Sequence, residues 1–304
     1  MAERLHVTTV SLLSCSFERS SPETLEALKS LEIRSDDVIL AGYPKTGTNW
    51  LEEMVRELES ADAKYTEDEM KERINAEKEL QMFPRLEFGD PGIYERMKKL
   101  PSRRIISTHL HPHLLPFSIL QGKAKVLVLL RNPKDTAVSY YHFYNNMPVL
   151  PSFASWDEYF TAFMNGKLTW GSYFDQLVEW NQYIDHEKIM MISYEELKEN
   201  PILGMKKIAA FFEFSLDEED FHRIAKKTSF QAMKEKSKET HGKFGDILFR
   251  KGGVLMGQGS QEHHTQCCVG LPGITLLCPH QEMRNSLNMV SLNRHCWKLE
   301  RPLL

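Results

Sequence analysis

Residues 36–50 read D-D-V-I-L-A-G-Y-P-K-T-G-T-N-W, and this stretch is the most informative one about the architecture of the chain. Its first part is a short apolar run that ends at a glycine and a proline, a pattern typical of a buried strand that leads into a turn. Apolar residues at helical spacing follow: Trp50, Leu51, Met54, Val55 and Leu58. The stretch therefore predicts a strand, a loop and a helix of the α/β type.

Three further apolar runs have the character of strands that are covered on both faces in a parallel sheet. They are R-I-I-S-T after Arg103, K-V-L-V-L-L after Ala124 and K-I-M-M-I-S-Y from Lys188. Segments with helical spacing separate or follow them: 135–144, 156–164, 172–183, 206–212, 217–225 and 229–236. Because strands alternate with helices, we predict one doubly wound α/β domain with a central parallel sheet and a P-loop-like phosphate-binding loop.

Composition excludes several classes of protein. A chain of 304 residues with 41% hydrophobic and 26% charged residues can bury a large core. A net charge of -4 gives no overall basic field, so nucleic acid is not expected as a partner, although a local phosphate site is compatible with it. No run approaches the ~18 apolar residues of a membrane span, and the N-terminus lacks the pattern of a signal peptide. We expect a cytoplasmic protein.

The loop P-K-T-G-T lies between a predicted strand and a helix N-terminus, where unpaired N–H groups and the helix dipole attract phosphate. An ordinary turn with a surface lysine is the alternative, because Lys45 precedes Gly47, whereas the standard P-loop has its lysine after the second glycine. The same difference argues against a nucleotide kinase.

A second anion-binding element follows the strand after Ala124. It reads R-N-P-K-D-T-A-V-S from Arg131, with a helix predicted from about Pro133. The planar guanidinium of Arg131 suits phosphate, and Ser139 could converge on the same anion. Taken alone, Arg131 could equally be a surface arginine at the end of a strand.

These two elements belong to an ordered series of motifs that resembles the cytosolic sulfotransferases. The series continues with W-x-x-x-F from Trp156, F-M-x-G from Phe163, Y-E-E-L from Tyr194, T-S-F-x-x-M from Thr228 and F-R-K-G from Phe249. The resemblance covers roughly residues 20–252. Through R-N-P-K-D-T-A-V-S and T-H-L-H, the chain is most similar to the sixth group of the family.

The resemblance implies that the protein moves a sulfonyl group from 3′-phosphoadenosine-5′-phosphosulfate (PAPS) to the hydroxyl of a small molecule such as a phenol, a steroid or an iodothyronine-like compound. The 5′-phosphosulfate would be held by Lys45, Thr46, Gly47, Thr48, Asn49 and Trp50. The 3′-phosphate would be held by Arg131, Ser139, Arg250, Lys251 and Gly252, beside Leu248 and Phe249. The adenine side would be formed by Tyr194, Thr228, Ser229, Phe230 and Met233. Core packing is the alternative role, above all for Phe230 and Met233.

The resemblance also assigns the catalytic pair. His109, just after a predicted strand, corresponds to the general base, and its unperturbed pKa of ~6.5 suits that role. Lys45 would stabilise charge on the leaving phosphate. Without the resemblance, a structural histidine is the alternative interpretation.

No metal is expected, since no carboxylate or cysteine near His111 and His113 in the sequence completes a ligand set. The mouth of the acceptor site is expected near Phe83, His142, Phe143 and Tyr144.

The chain departs from the family at two places. Ser107 stands where the family commonly has a lysine, two positions before His109. After Lys251 the chain reads G-G-V-L-M-G-Q-G rather than continuing to G-D-W-K-N, so we predict a sulfotransferase domain at 1–252 and a divergent, poorly ordered tail at 253–304. The usual dimer signature is also missing, which favours a monomer. An alternative function is a catalytically weak isoform that binds PAPS, or the desulfated product PAP, without the usual lid.

Overall fold

The structure is a computed structural model, and it describes residues 21–80, 83–241 and 245. Its strands are β1 (Val38–Gly42), β2 (Ile105–Thr108), β3 (Lys125–Leu130) and β4 (Ile189–Ser193). Its helices are α1 (Pro22–Ala27), α2 (Thr48–Ala63), α3 (Glu67–Lys78), α4 (Ile93–Lys98), α5 (Phe117–Leu120), α6 (Pro133–Asn146), α7 (Trp156–Met164), α8 (Tyr173–Asn181), α9 (Tyr194–Glu199), α10 (Pro201–Phe212), α11 (Glu218–Lys227) and α12 (Phe230–His241).

The strands form one parallel sheet in the order β2-β1-β3-β4. Val38 of β1 lies opposite Ile105 on one side and Lys125 on the other. After β1 the chain forms β2 on one side of β1, and it then crosses to form β3 on the other side. The direction in which strands are added to the sheet therefore reverses between β1 and β3. Ligands of open α/β sheets bind beyond the carboxyl ends of the strands at such a point. The predicted fold class is confirmed.

The sheet is central because its strands are apolar throughout. All five residues of β1 are buried. Leu40, Leu127 and Leu129 share a buried cluster with Leu51 of α2 and Ile208 of α10, among other side chains. Burial of apolar surface of this kind is the main favourable contribution to folding. It also fixes the ends of β1, β2 and β3, and with them the loops that carry the predicted motifs.

Helix ends follow local signals. At the start of α6 the side chain of Asn132 accepts the N–H of Lys134 and Pro133 occupies the first turn, as is typical of helix N-termini. Helix α3 was not predicted, because none of its residues is buried and no apolar period marks it. It begins instead with a capping box between Thr66 and Glu69. Among the helices of the described segments, none combines the length and apolar character needed to cross a membrane.

Candidate active site

The loop after β1 is shaped by two residues in left-handed backbone conformations. Lys45 has φ 70° and Gly47, which caps α2, has φ 111°. A Cβ on Gly47 would lie 2.7 Å from Cδ2 of Tyr194, so a larger residue would clash there. The first N–H groups of the 16-residue helix α2 have no partners within the helix and point toward this loop. The loop therefore lies between a strand and a helix N-terminus, where an anion site is predicted, and anion binding there stays a prediction.

Arg131 joins this loop to the end of β3. Its Nη1 donates a hydrogen bond to the backbone oxygen of Lys45 at 2.8 Å, and its guanidinium lies 4.3 Å from the centre of the Tyr194 ring. Its Nε is buried and has no hydrogen-bond partner among the described residues. A buried donor without a partner is unfavourable, and a bound phosphate oxygen would satisfy it. Ser139 is half-buried, farther along α6.

The predicted adenine side brings together residues that are far apart in sequence. The indole N–H of Trp50 donates to the backbone oxygen of Thr228 at 2.9 Å, and the Trp50 ring centre is 5.4 Å from that of Tyr194. Met233 is buried and Phe230 is half-buried. The Ser229 hydroxyl oxygen accepts the N–H of Ala232. The aromatic faces of Trp50 and Tyr194 thus lie together beside Thr228, and such faces suit contact with a purine.

Two threonines of the loop have different surroundings. Thr46 is fully buried and its hydroxyl donates to the backbone oxygen of Tyr43 at 2.7 Å, so its side chain stabilises the loop. Thr48 is also buried, at the first position of α2. The predicted residues Leu248, Phe249, Arg250, Lys251 and Gly252 lie outside the described residues, as do the domain boundary at 252 and the tail.

His109 follows β2 and contacts the end of β1. Its Nδ1–H donates to the backbone oxygen of Gly42 at 2.6 Å. Its backbone N–H donates to Oε1 of Glu87 at 2.9 Å, and its backbone oxygen accepts from the Gln176 side chain at 2.8 Å. The imidazole is therefore held in one orientation, with Nε2 carrying the lone pair.

Burial is the main reason that the pKa of His109 falls to about 3, because a charged imidazolium would lose its hydration. The positive charges of Arg85 and Lys45 lower this pKa further. His109 is therefore neutral at physiological pH, the form in which an imidazole can accept a proton.

Arg85, which no sequence motif marks, lies beside the predicted base. Its Nη1 donates to His109 Nε2 at 2.9 Å, and its Nη2 donates to Asn49 Oδ1 at 3.0 Å and to Glu52 Oε1 at 2.6 Å. Ser107, where the family commonly has a lysine, is buried, and its hydroxyl has no partner in the described part of the chain. The cation next to His109 thus comes from residue 85, and no spacing pattern in the sequence marks it.

Glu87 is a second residue that the sequence did not reveal. It is fully buried, and its Oε2 accepts the hydroxyl of Thr108 at 2.8 Å while Oε1 accepts the N–H of His109. Burial raises the pKa of Glu87 to about 7, although Arg85 and these hydrogen bonds act in the opposite direction. Glu87 supports the backbone on which His109 stands.

The surroundings of His111 and His113 differ from the expectation that no carboxylate is near them. The fold brings Glu179 of α8 against both, with carboxylate oxygens 3.0 Å from Nδ1 of His111 and 2.7 Å from Nδ1 of His113. The two histidines lower the pKa of Glu179 to about 2, against the effect of its burial. These are hydrogen-bond distances, and the three ligand atoms also lie within 4.8 Å of one another, close enough to hold a metal ion. The absence of metal from this protein stays a prediction.

The residues predicted around the acceptor mouth are in different environments. Phe143 lies 4.9 Å from Lys45 Nζ, measured to the ring centre, so it is close to the phosphate loop. Phe83 packs under the guanidinium of Arg56. Tyr144 is buried and its hydroxyl is 2.5 Å from that of Thr169, which makes it part of the core rather than of an open mouth. The ring of Trp170 packs edge-on against His109, a contact that was not predicted.

Comparisons with known proteins agree with this geometry. The family described as "Sulfotransferase domain" matches residues 35–259. Mouse Sulfotransferase 6B1 is 47% identical over 83% of this chain and 82% of its own length, and the human protein of that name is 45% identical over 82% and 81%. Both the family and its sixth group had been predicted.

Solved structures include a mouse sulfotransferase complexed with PAP. It is 35% identical to this chain, covers 71% of it and 72% of its own chain, and superposes with a TM-score of 0.62. A retinol dehydratase in complex with retinol and PAP shares the fold at 18% identity, with a TM-score of 0.56 and coverage of 76% and 79%. By sequence and by fold, this chain belongs to the sulfotransferase family of enzymes.

Proposed function

We propose that the protein transfers a sulfonyl group from PAPS to the hydroxyl of a small molecule, with His109 as the general base. One observation carries the proposal: His109 Nδ1–H is bonded at 2.6 Å to the oxygen of Gly42, the residue after which the anion-binding loop begins. The proton-accepting nitrogen and the loop are therefore held at a fixed relation to each other, as a transfer between two bound substrates requires.

The residues present suit the co-substrate. The N-terminus of α2, the side chain of Lys45 and the unpartnered Nε of Arg131 offer donors to phosphate and sulfate oxygens. Trp50 and Tyr194 offer aromatic faces to adenine. We propose that Lys45 to Trp50 hold the 5′-phosphosulfate, that Arg131 and Ser139 hold the 3′-phosphate, and that Tyr194, Thr228, Ser229, Phe230 and Met233 line the adenine side.

The transfer exchanges a proton for a sulfonyl group. His109 Nε2 takes the proton of the acceptor hydroxyl, and the acceptor oxygen forms a bond to sulfur. The bond between sulfur and the bridging phosphate oxygen breaks in the same step, and PAP leaves with the electron pair on that oxygen. Lys45 stabilises this charge, and His109 then returns its proton to solvent. Fixed cations and orientation supply most of the rate enhancement.

Two measurements on the full chain test the proposal together. The first is transfer from sulfur-labelled PAPS to a panel of phenols, steroids and iodothyronines, which also defines the acceptor class. The second is calorimetry with PAP. We expect labelled product and PAP binding. Binding without transfer to any acceptor would favour the alternative, a catalytically weak nucleotide-binding isoform, and the absence of both would overturn the proposal.

We further propose that the protein acts as a cytoplasmic monomer. Four of the five cysteines lie in residues 253–304, which leaves one cysteine in residues 1–252, as suits a reducing compartment. The missing dimer signature near the C-terminus supports a monomer. Light scattering of the purified protein tests it, and a mass twice that of the chain would contradict it.

A further inference from the structure

Arg85 connects His109 and Asn49, which the proposed function uses separately, and it also contacts Glu52. Nη1 of its guanidinium reaches the proton-accepting nitrogen of His109, and Nη2 reaches Asn49 in the first turn of α2. Nη2 also forms an ion pair with Glu52, one turn later, and both partners are largely buried, at 13% and 8% side-chain exposure. A planar fork with several donors can make these contacts at once, which a lysine cannot do.

The contact with His109 is not explained by neutralisation of Glu52. Nη2 alone satisfies Glu52, whereas Nη1 donates to a neutral imidazole, a weaker acceptor than an anion. Nη1 also occupies the position from which an acceptor hydroxyl would have to approach Nε2. The guanidinium therefore covers the base in this structure, and it also contacts Asn49 in the first turn of α2.

We propose that Arg85 is a catalytic residue that binds the sulfonyl group of the donor and, in doing so, uncovers His109. This inference rests on the proposed function. A sulfonate is anionic and competes for Nη1 more strongly than the neutral imidazole does. When Nη1 turns to a sulfonyl oxygen, Nη2 stays anchored on Glu52, and Nε2 becomes open to the acceptor hydroxyl. The base is thus exposed when the donor carries its sulfonyl group.

The same arrangement places two cations around the group that is transferred. Lys45 is close enough to His109 to lower its pKa. Arg85, whose backbone pairs with Ser107 of β2, also reaches His109. A fixed cation at a position where negative charge rearranges stabilises the transition state without reorganisation of solvent. Arg85 would therefore act on the sulfonyl group and leave the phosphates to the other donors. Because PAP lacks the sulfonyl group, this division of roles predicts that loss of Arg85 weakens the binding of PAPS but not that of PAP.

The test uses variants that leave no buried charge unpaired. Arg85→Ala with Glu52→Ala removes both partners of the ion pair, because loss of Arg85 alone would strand the Glu52 carboxylate. Arg85→Lys keeps the charge but not the fork. The matched control is Arg96→Ala with Asp90→Ala, which removes an arginine–aspartate pair with 2.5 Å separation that contacts neither His109 nor Asn49.

We expect the Arg85/Glu52 double variant to lose roughly 10²–10³-fold in kcat, as when one fixed transition-state donor is removed. Its affinity for PAP, measured by calorimetry, should stay within about twofold of the wild type, while its preference for PAPS over PAP falls. Arg85→Lys should have a kcat and a PAPS preference between those of the wild type and the double variant. The control should match the wild type in both.

Three results would overturn the inference: an unchanged kcat with an unchanged PAPS-to-PAP affinity ratio, an equal loss of PAPS and PAP affinity, or a loss confined to phenols that carry a carboxylate. The last would make Arg85 a contact for the acceptor. The affinity ratio needs no turnover, so it decides the role of Arg85 even if no acceptor in the panel reacts. Failure of the wild type to bind PAP would instead contradict the proposed function.

Discussion

The imidazole of His109 is bonded through Nδ1 to the oxygen of Gly42, 67 residues earlier in the chain, at 2.6 Å. Because a carbonyl oxygen can only accept a hydrogen bond, the proton of the neutral imidazole lies on Nδ1. Nε2 is therefore the nitrogen that can accept a second proton. The end of β1 thus sets the tautomer of a residue that follows β2.

We expect His109→Ala to lower kcat by about 10²–10⁴-fold, the usual contribution of a general base. PAP affinity should change little, because His109 does not hold the phosphates. Turnover of labelled PAPS and calorimetry with PAP measure the two quantities. His113→Ala is the matched control, since this histidine is exposed and pairs with Glu179. A His109 variant with wild-type turnover would remove the residue from the mechanism.

We expect Glu87→Gln to stabilise the protein at alkaline pH relative to the wild type. Because the pKa of Glu87 rises from 4.5 to about 7 on folding, the folded state binds more protons between these values. The contribution of the protonated carboxyl to the stability of the folded state is complete below pH 4.5, and it is lost as pH rises through 7. The difference in free energy of unfolding between Glu87→Gln and the wild type should therefore grow by up to about 3 kcal/mol as pH rises over this range.

Urea unfolding at pH 5, 6, 7 and 8 measures this gap for Glu87→Gln. The exposed Glu72→Gln is the control and should follow the wild type at each pH. A difference between the Glu87 variant and the wild type that does not change with pH would contradict the assigned titration.

We expect saturating PAP to raise the melting temperature of the wild type, since a ligand that binds only the folded state adds about 2.7 kcal/mol at a hundredfold excess over Kd. Lys45→Ala should reduce the gain. Arg131→Lys should also reduce it, because the planar fork is lost while the charge remains. Thermal scans with and without PAP measure the gain, and equal shifts in all three proteins would show that neither residue contacts the nucleotide.

We expect Gly47→Ala to weaken PAP binding and to destabilise the fold. The added Cβ would lie 2.7 Å from the Tyr194 ring, on backbone with φ 111°. Either Tyr194 or the loop must move, and both belong to the proposed nucleotide site. The second substitution Tyr194→Ala should restore part of the stability by removing the clash, but not the binding. Wild-type melting temperature and affinity in Gly47→Ala would contradict the assigned fit.

The strands and the position of the loop after β1 could be predicted because their signals are local. Each strand is an apolar run, and Lys45 and Gly47 stand between a strand and an amphipathic helix. Helix α3 could not be predicted from apolar spacing, since it buries no residue.

The residues around His109 that no sequence motif marks are brought together by contacts that only the folded chain makes. Arg85 meets Asn49 and His109 across 36 and 24 residues of sequence. Glu179 reaches His111 because α8 packs beside the segment after β2. Tyr144 shares its helix with Phe143 but faces the core, so membership of a motif did not determine which side chain is accessible.

The bond from the Trp50 indole to the oxygen of Thr228 spans 178 residues. A nascent chain that ends before Thr228 lacks this contact. Under the proposed function, the ability to retain a purine therefore arises late in synthesis, after β4 has been made. A chain released before Thr228 would contain all four strands of the sheet and lack one wall of the proposed adenine site.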